Sequence, residues 1–101
     1  MVKKYSSKRF NNKKTFRQLE RIIKGSANHT RLQILALLEK EPVLSVVDVA
    51  KRLDMNLKTI SDHISVLARS GLVLKRSDFN YVRHKLTKNG ESILEFCRIT
   101  E

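Results

Sequence analysis

The chain has 101 residues, enough for one domain with one small core but not for two. Its 21 Lys and Arg against 10 Asp and Glu leave a net charge of +11, which argues for a polyanionic partner rather than a basic small molecule. No apolar run approaches the ~18 residues that a membrane span needs, and a single cysteine, Cys97, excludes an internal disulfide and a multi-cysteine metal cluster.

Nucleic acid is the first candidate polyanion, and an anionic membrane surface is the second. No basic-then-apolar leader opens the chain, so the expected compartment is the cytoplasm, on the nucleoid. The charge is unevenly placed: residues 1 to 24 hold nine Lys/Arg and only Glu20, a balance of +8. Residues 1–13, MVKKYSSKRFNNK, show no sustained apolar period and are expected to form a basic, disordered arm, with residues 14–101 as the folded domain.

From Thr15 the pattern becomes helical. Phe16, Leu19, Ile22 and Ile23 recur at helical spacing until Gly25 and Ser26, which are expected to end the first helix. Asn28 can cap a second helix, in which Leu32, Ile34, Leu35, Leu37 and Leu38 form the most apolar segment before Glu41-Pro42 breaks it. Ser45 with Asp48 three residues later resembles a capping box and opens a short third helix ending near Leu53. After Asp54-Met55-Asn56 a fourth helix is predicted from Leu57 to Ser70, closed by Gly71.

Beyond Gly71 the period turns extended. Leu72–Arg76 and Tyr81–Leu86 flank Ser77-Asp78-Phe79-Asn80, a polar connection of hairpin length, so a two-stranded hairpin with basic residues is expected. Thr87 can cap a last helix, whose apolar side is carried by Ile93, Leu94, Phe96 and Cys97, with Gly90 weakening its first turn. Cys97 itself reads as a small apolar residue.

A short helix, a three-residue break and a second helix form a helix-turn-helix, which presents the start of its second helix to a major groove. Here Ile60, Ile64 and Leu67, with Leu57 one turn earlier, are expected to face the core. Asn56, Lys58, Thr59, Ser61, Asp62 and His63 remain for phosphates or base edges. The hairpin that follows adds Lys75, Arg76, Asn80, Arg83 and Lys85, charge suited to a flanking backbone or minor groove. The predicted fold is therefore mainly α with a small β-hairpin: a winged helix-turn-helix of about five helices plus a two-stranded wing.

Residues 28 to 86 resemble the winged helix-turn-helix of ArsR-type transcriptional regulators. The likeness lies in Thr30-Arg31-Leu32 with Ile34-Leu35, Val49-Ala50 with Leu53, then Thr59, Ser61, His63 and Leu67, and Gly71-Leu72-Val73 entering the wing. "KLTKNGESILEF", residues 85 to 96, is similar to the segment after the wing in many other winged-helix regulators. The resemblance implies a homodimer that reads double-stranded DNA, with first and last helices at the interface. Phe16, Leu19, Ile23, Ile93, Leu94 and Cys97 suit that role. Two positions depart from the family pattern, Leu57 and Asp62, where polar or basic residues are usual.

Metal-sensing members carry paired cysteines on the third helix or Asp/His clusters on the last. This chain has Val46-Val47-Asp48 and Glu91, Glu95 and Cys97 there, so no metal and no cofactor is expected. No nucleophile–base pair with local support stands out, so no catalytic residue is named and no enzyme is expected. The sequence thus points to a sequence-specific transcriptional regulator, most simply a repressor. A sequence-tolerant DNA-coating protein and a protein or RNA interaction module are the alternatives.

Overall fold

The computed structural model describes residues 8–11, 13–78 and 81–100. The elements are α1 (Phe16–Ser26), α2 (His29–Lys40), α3 (Val46–Leu53), α4 (Leu57–Arg69), β1 (Val73–Asp78), β2 (Tyr81–Leu86) and α5 (Lys88–Ile99). They form the winged helix-turn-helix expected from the sequence, with β1 and β2 as one antiparallel pair.

Each helix starts where a side chain can satisfy its orphan N–H groups. Thr15 and Gln18 exchange bonds of 3.0 and 2.8 Å in a full capping box, and Ser45 and Asp48 do the same at α3. The N–H and hydroxyl of Ser45 favour the ionised Asp48 carboxylate and hold its pKa below the ordinary value. Asn28 caps α2 through its side-chain oxygen, and Thr87 caps α5 while donating its hydroxyl to the Gly71 carbonyl at 2.7 Å.

The core is centred on α2. Ile34, Leu35 and Leu38 pack with Val49 of α3, Ile60, Ile64 and Leu67 of α4, and Leu72 and Val73 at the root of the wing. The end of α4 is a Schellman closure: Gly71, at φ +77°, donates to Ala68, and Leu72 donates to Leu67 at 2.9 Å. That turn aims β1 away from α4 and so fixes where the wing stands. Gly90, expected to weaken the first turn of α5, also allows its close approach: a Cβ there would lie 2.5 Å from the Leu72 carbonyl oxygen.

The wing is tied to the helix-turn-helix by a third extended segment. Leu44 and His84 exchange both backbone bonds, at 3.2 and 2.8 Å, outside the main ladder. Val43 reaches this position at φ +67°, a left-handed conformation that a β-branched residue adopts only under strain.

Three features of the elements differ from the sequence-based expectation. Gly25 and Ser26 lie inside the last turn of α1, both buried, and the cap falls on Ala27. The ladder runs two pairs further than predicted, through Ser77 opposite Val82 and Asp78 opposite Tyr81, so Ser77 and Asp78 of the expected connection belong to β1. Leu94 turns into the core, while Phe96 on the same helix is 61% exposed.

Within the expected arm, the described residues 8–11 and 13 form a turn against the start of α1. Phe16 N–H donates to the Lys8 carbonyl, Phe10 N–H donates to Lys14, and the Asn11 side chain accepts from both Lys13 and Lys14. This Asx-type turn is local side-chain chemistry that a scan for apolar period does not register. Residues 1–7 and 12 lie outside the described residues.

Candidate nucleic-acid interface

α3 and α4 are joined by Asp54, which closes α3 in the left-handed conformation at φ +53°, and by Asn56, which opens α4. The Asn56 oxygen accepts from Lys58 and Thr59 N–H at 2.8 and 3.1 Å. That oxygen is committed to the helix, so Asn56 offers its amide N–H groups outward.

The two faces of α4 separate cleanly. Ile60, Ile64 and Leu67 are buried, while Leu57, Lys58, Thr59, Ser61, Asp62, Ser65 and Arg69 are exposed. Lys58 and Asp62 form an i,i+4 pair at 3.7 Å with side chains 83% and 70% exposed. A pair so solvated is worth roughly 0.3–0.5 kcal/mol, so it opens readily when a stronger anion approaches Lys58.

Leu57 contradicts its expected place. It is 51% exposed, whereas Met55, before the cap, packs against the core. The residue preceding an N-cap commonly packs toward the first turn's core residue, and that leaves the first helical position outside.

His63 is half-buried rather than fully outward. Its Nδ1 accepts from Arg31 Nε at 3.2 Å, and Arg31 Nη1 donates to the Gly25 carbonyl at 3.2 Å. The ring proton therefore sits on Nε2 while this bond is made. Sequence reading had no means of finding Arg31, which lies 32 residues away.

The register divides the wing's cations. Directly opposed residues share a face, so Arg76 with Arg83 and Leu74 with Lys85 occupy one side, and Lys75 with His84 the other. Tyr81 lies on the first side, with the Arg83 guanidinium 5.3 Å from its ring centroid. Arg76 and Arg83 face each other with no acidic partner among the described residues' ion pairs. Like charges directly opposite destabilise a ladder, so this pair is a cost to the wing and not a support. Tyr81 was missed by sequence reading, although the period of two already aligns it with Arg83 and Lys85. Asn80 lies outside the described residues.

On the opposite face His84 is 1% exposed. A carbonyl can only accept, so the 3.2 Å contact to Leu44 O makes Nδ1 the donor, and the buried Nε2 has no partner. Burial lowers its pKa from the ordinary value, Lys75 adding to the effect and the Leu44 bond opposing it.

Away from both faces, α1 and α5 flank an apolar groove of about 640 Å³ lined by Leu19, Ile22, Ile23, Ile93, Phe96 and Cys97. Phe16 and Phe10, in edge-to-face contact at 5.8 Å, are exposed on the same helix and its leading turn. Of the six residues expected at a dimer interface, Phe16, Leu19, Ile23, Ile93 and Cys97 are at least partly accessible and Leu94 is not; Phe96 and Ile99 were overlooked. Among the described residues no three His, Cys, Asp or Glu side chains gather as a metal site, and no helix is long and apolar enough to cross a membrane.

Comparison with known proteins agrees with this architecture. Residues 28–73 match the winged helix-turn-helix DNA-binding family model. HlyU from Vibrio cholerae superposes with a TM-score of 0.71 at 31% identity, over 83% of this chain and 92% of that one. The chain belongs to the ArsR-type winged helix-turn-helix family. A homodimeric winged helix-turn-helix DNA-binding domain from Mycobacterium bovis, a possible ArsR-family regulator, gives a TM-score of 0.75 at 28% identity over 84% of this chain and 79% of that one. The arsenical resistance operon repressor of Escherichia coli is 36% identical over 66 residues, 65% of this chain. The chain spans 56% of that repressor and 60% of the transcriptional activator HlyU of Vibrio cholerae, two of the curated relatives it matches.

Proposed function

We propose that this ArsR-type protein is a homodimeric transcriptional regulator that binds double-stranded DNA, most simply a repressor that occludes a promoter. The observation that carries the reading is that the polar outer face of α4 and the cationic wing face of Arg76, Arg83 and Lys85 belong to consecutive elements joined by the rigid Gly71 turn. α4 enters the major groove through Asn56, Lys58, Thr59, Ser61, Asp62 and His63, and the wing lies on the flanking backbone or minor groove.

Pairing across the α1–α5 groove sets two recognition helices against half-sites about 10 bp apart. Homodimeric assembly in the Mycobacterium relative supports this arrangement. The reading needs no cofactor, metal or catalytic group, and it places the protein in the cytoplasm, on the nucleoid.

A second reading has its own support. The net charge of +11 and the mutual pairing of Lys58 with Asp62 suit a protein that coats DNA without reading it. Selection of bound sites from a random duplex library, followed by titration at two salt concentrations, separates the two. An inverted repeat bound ~10³-fold over scrambled duplex is expected for a regulator. A steep salt slope with no enriched sequence would replace it by the coating protein.

A further inference from the structure

Leu57 has no role in the fold that its surroundings reveal. It opens α4, yet Met55 covers the adjacent edge of the core and Leu57 keeps 51% of its surface in water. Ser61 follows one turn later on the same side, and Lys58 beside it is drawn toward Asp62. The leading turn of α4 therefore presents one branched apolar head, one hydroxyl and a charge pair that is internally compensated.

A single exposed leucine needs no special account on a general surface. Here it stands at the first helical position of the helix assigned to the major groove, the part of such a helix that approaches base edges. The major groove offers only one prominent apolar group, the C5-methyl of thymine. Polar and charged side chains around Leu57 cannot use that methyl, whereas a leucine brought against it removes apolar surface from water on both partners.

We infer that Leu57 reads a thymine methyl group in each half-site and so sets sequence preference at that base pair. The inference rests on the DNA-binding reading above and names what that reading leaves open. The hydroxyl of Ser61, one turn on, is placed for the next base edge or a phosphate.

The test uses the duplex selected by the full chain, with each thymine of a half-site replaced in turn by deoxyuridine, which lacks only the methyl. One replacement is expected to weaken binding about fourfold, the worth of one buried methyl-sized group. Leu57→Ala is expected to weaken binding to the thymine duplex by a similar factor and to be indifferent to that replacement. The helical circular dichroism and melting temperature of the variant should stay at wild-type values, because the side chain is half-exposed at a helix start.

Equal loss on deoxyuridine in wild type and Leu57→Ala would assign the methyl to another residue and overturn the inference while leaving DNA binding intact. So would the absence of any sensitive thymine. Failure to bind any duplex would remove the functional reading itself, and this inference with it.

Discussion

Around α2 the large apolar side chains of Ile34, Leu35, Ile60 and Leu67 are fully buried, whereas along α1 and α5 Phe16, Ile23, Phe96 and Ile99 are 52%, 59%, 61% and 71% exposed. The first region is finished within one chain: its helices are capped, and its core is closed by the wing root. The second has the same residue types at the same helical spacing but, among the described residues, no layer that covers them. Clustered exposed aromatics and isoleucines are characteristic of association surfaces, so the flank reads as half of an interface and the centre as a self-sufficient fold.

The sharpest way to test that division is to damage each region and ask which property fails. Leu67→Ala, in the centre, should cost about 2–5 kcal/mol in chemical denaturation, because it opens a cavity in a packed core. A cost under about 1 kcal/mol would mean that the centre is looser than its burial indicates. Phe96→Glu, on the flank, should leave monomer stability within about 0.5 kcal/mol of wild type. In sedimentation equilibrium the same substitution should raise the dimer dissociation constant roughly 30-fold or more, as expected for loss of an aromatic anchor. A wild-type chain that sediments as a monomer at micromolar concentration would break the comparison.

Two smaller effects probe the strap between the centre and the wing. The folded-state pKa of His84 lies below its unfolded value, so the unfolded chain takes up a proton first as pH falls. Stability is therefore fully present above the unfolded pKa of about 6.5 and is lost as pH falls from there toward the folded pKa. Denaturation midpoints measured at several pH values should decline on the acid side in wild type, and the decline should be shallower in His84→Phe. Identical profiles for the two proteins would show that the ring is not held neutral by burial. Smallest of all, Val43→Gly should stabilise by about 0.5–1 kcal/mol by relieving the left-handed strain, net of the entropy of glycine.

Much of this molecule could be read before its coordinates. Asn28, Ser45 and Thr87 have a physical reason to begin helices and each does so, as do Thr15 and Asn56, which the sequence reading placed only at the edge of a helix. The buried face of α4 follows from the spacing of Ile60, Ile64 and Leu67, and the wing from a change of period after Gly71. Of these the caps were read most directly, since one side chain satisfies the donors two or three residues on.

What escaped depended on where the packing layer ends. Periodicity puts Leu57 in line with Ile60 and Ile64, but it carries no information about how far the core extends along the helix axis. The same ignorance assigned Leu94 and Phe96 to one apolar side, although one is core and the other is exposed. Arg31 meeting His63, and Leu44 meeting His84, are contacts between segments 32 and 40 residues apart that no local pattern encodes. The candidate site was legible as a set of residue types, while its division into two wing faces required the register.

The central claim is that the outer wing face and α4 together hold DNA. The most direct test is the salt dependence of binding to the selected duplex for wild type and for Arg76→Ala/Arg83→Ala/Lys85→Ala. With each side chain neutralising one phosphate, the slope of log affinity against log salt should fall by about 0.9 per residue removed, about 2.7 in all. The triple variant should stay folded, since the relief of the opposed arginines offsets the loss of the Arg83–Tyr81 contact. An unchanged slope and affinity in a folded variant would contradict the claim and take the wing off the DNA.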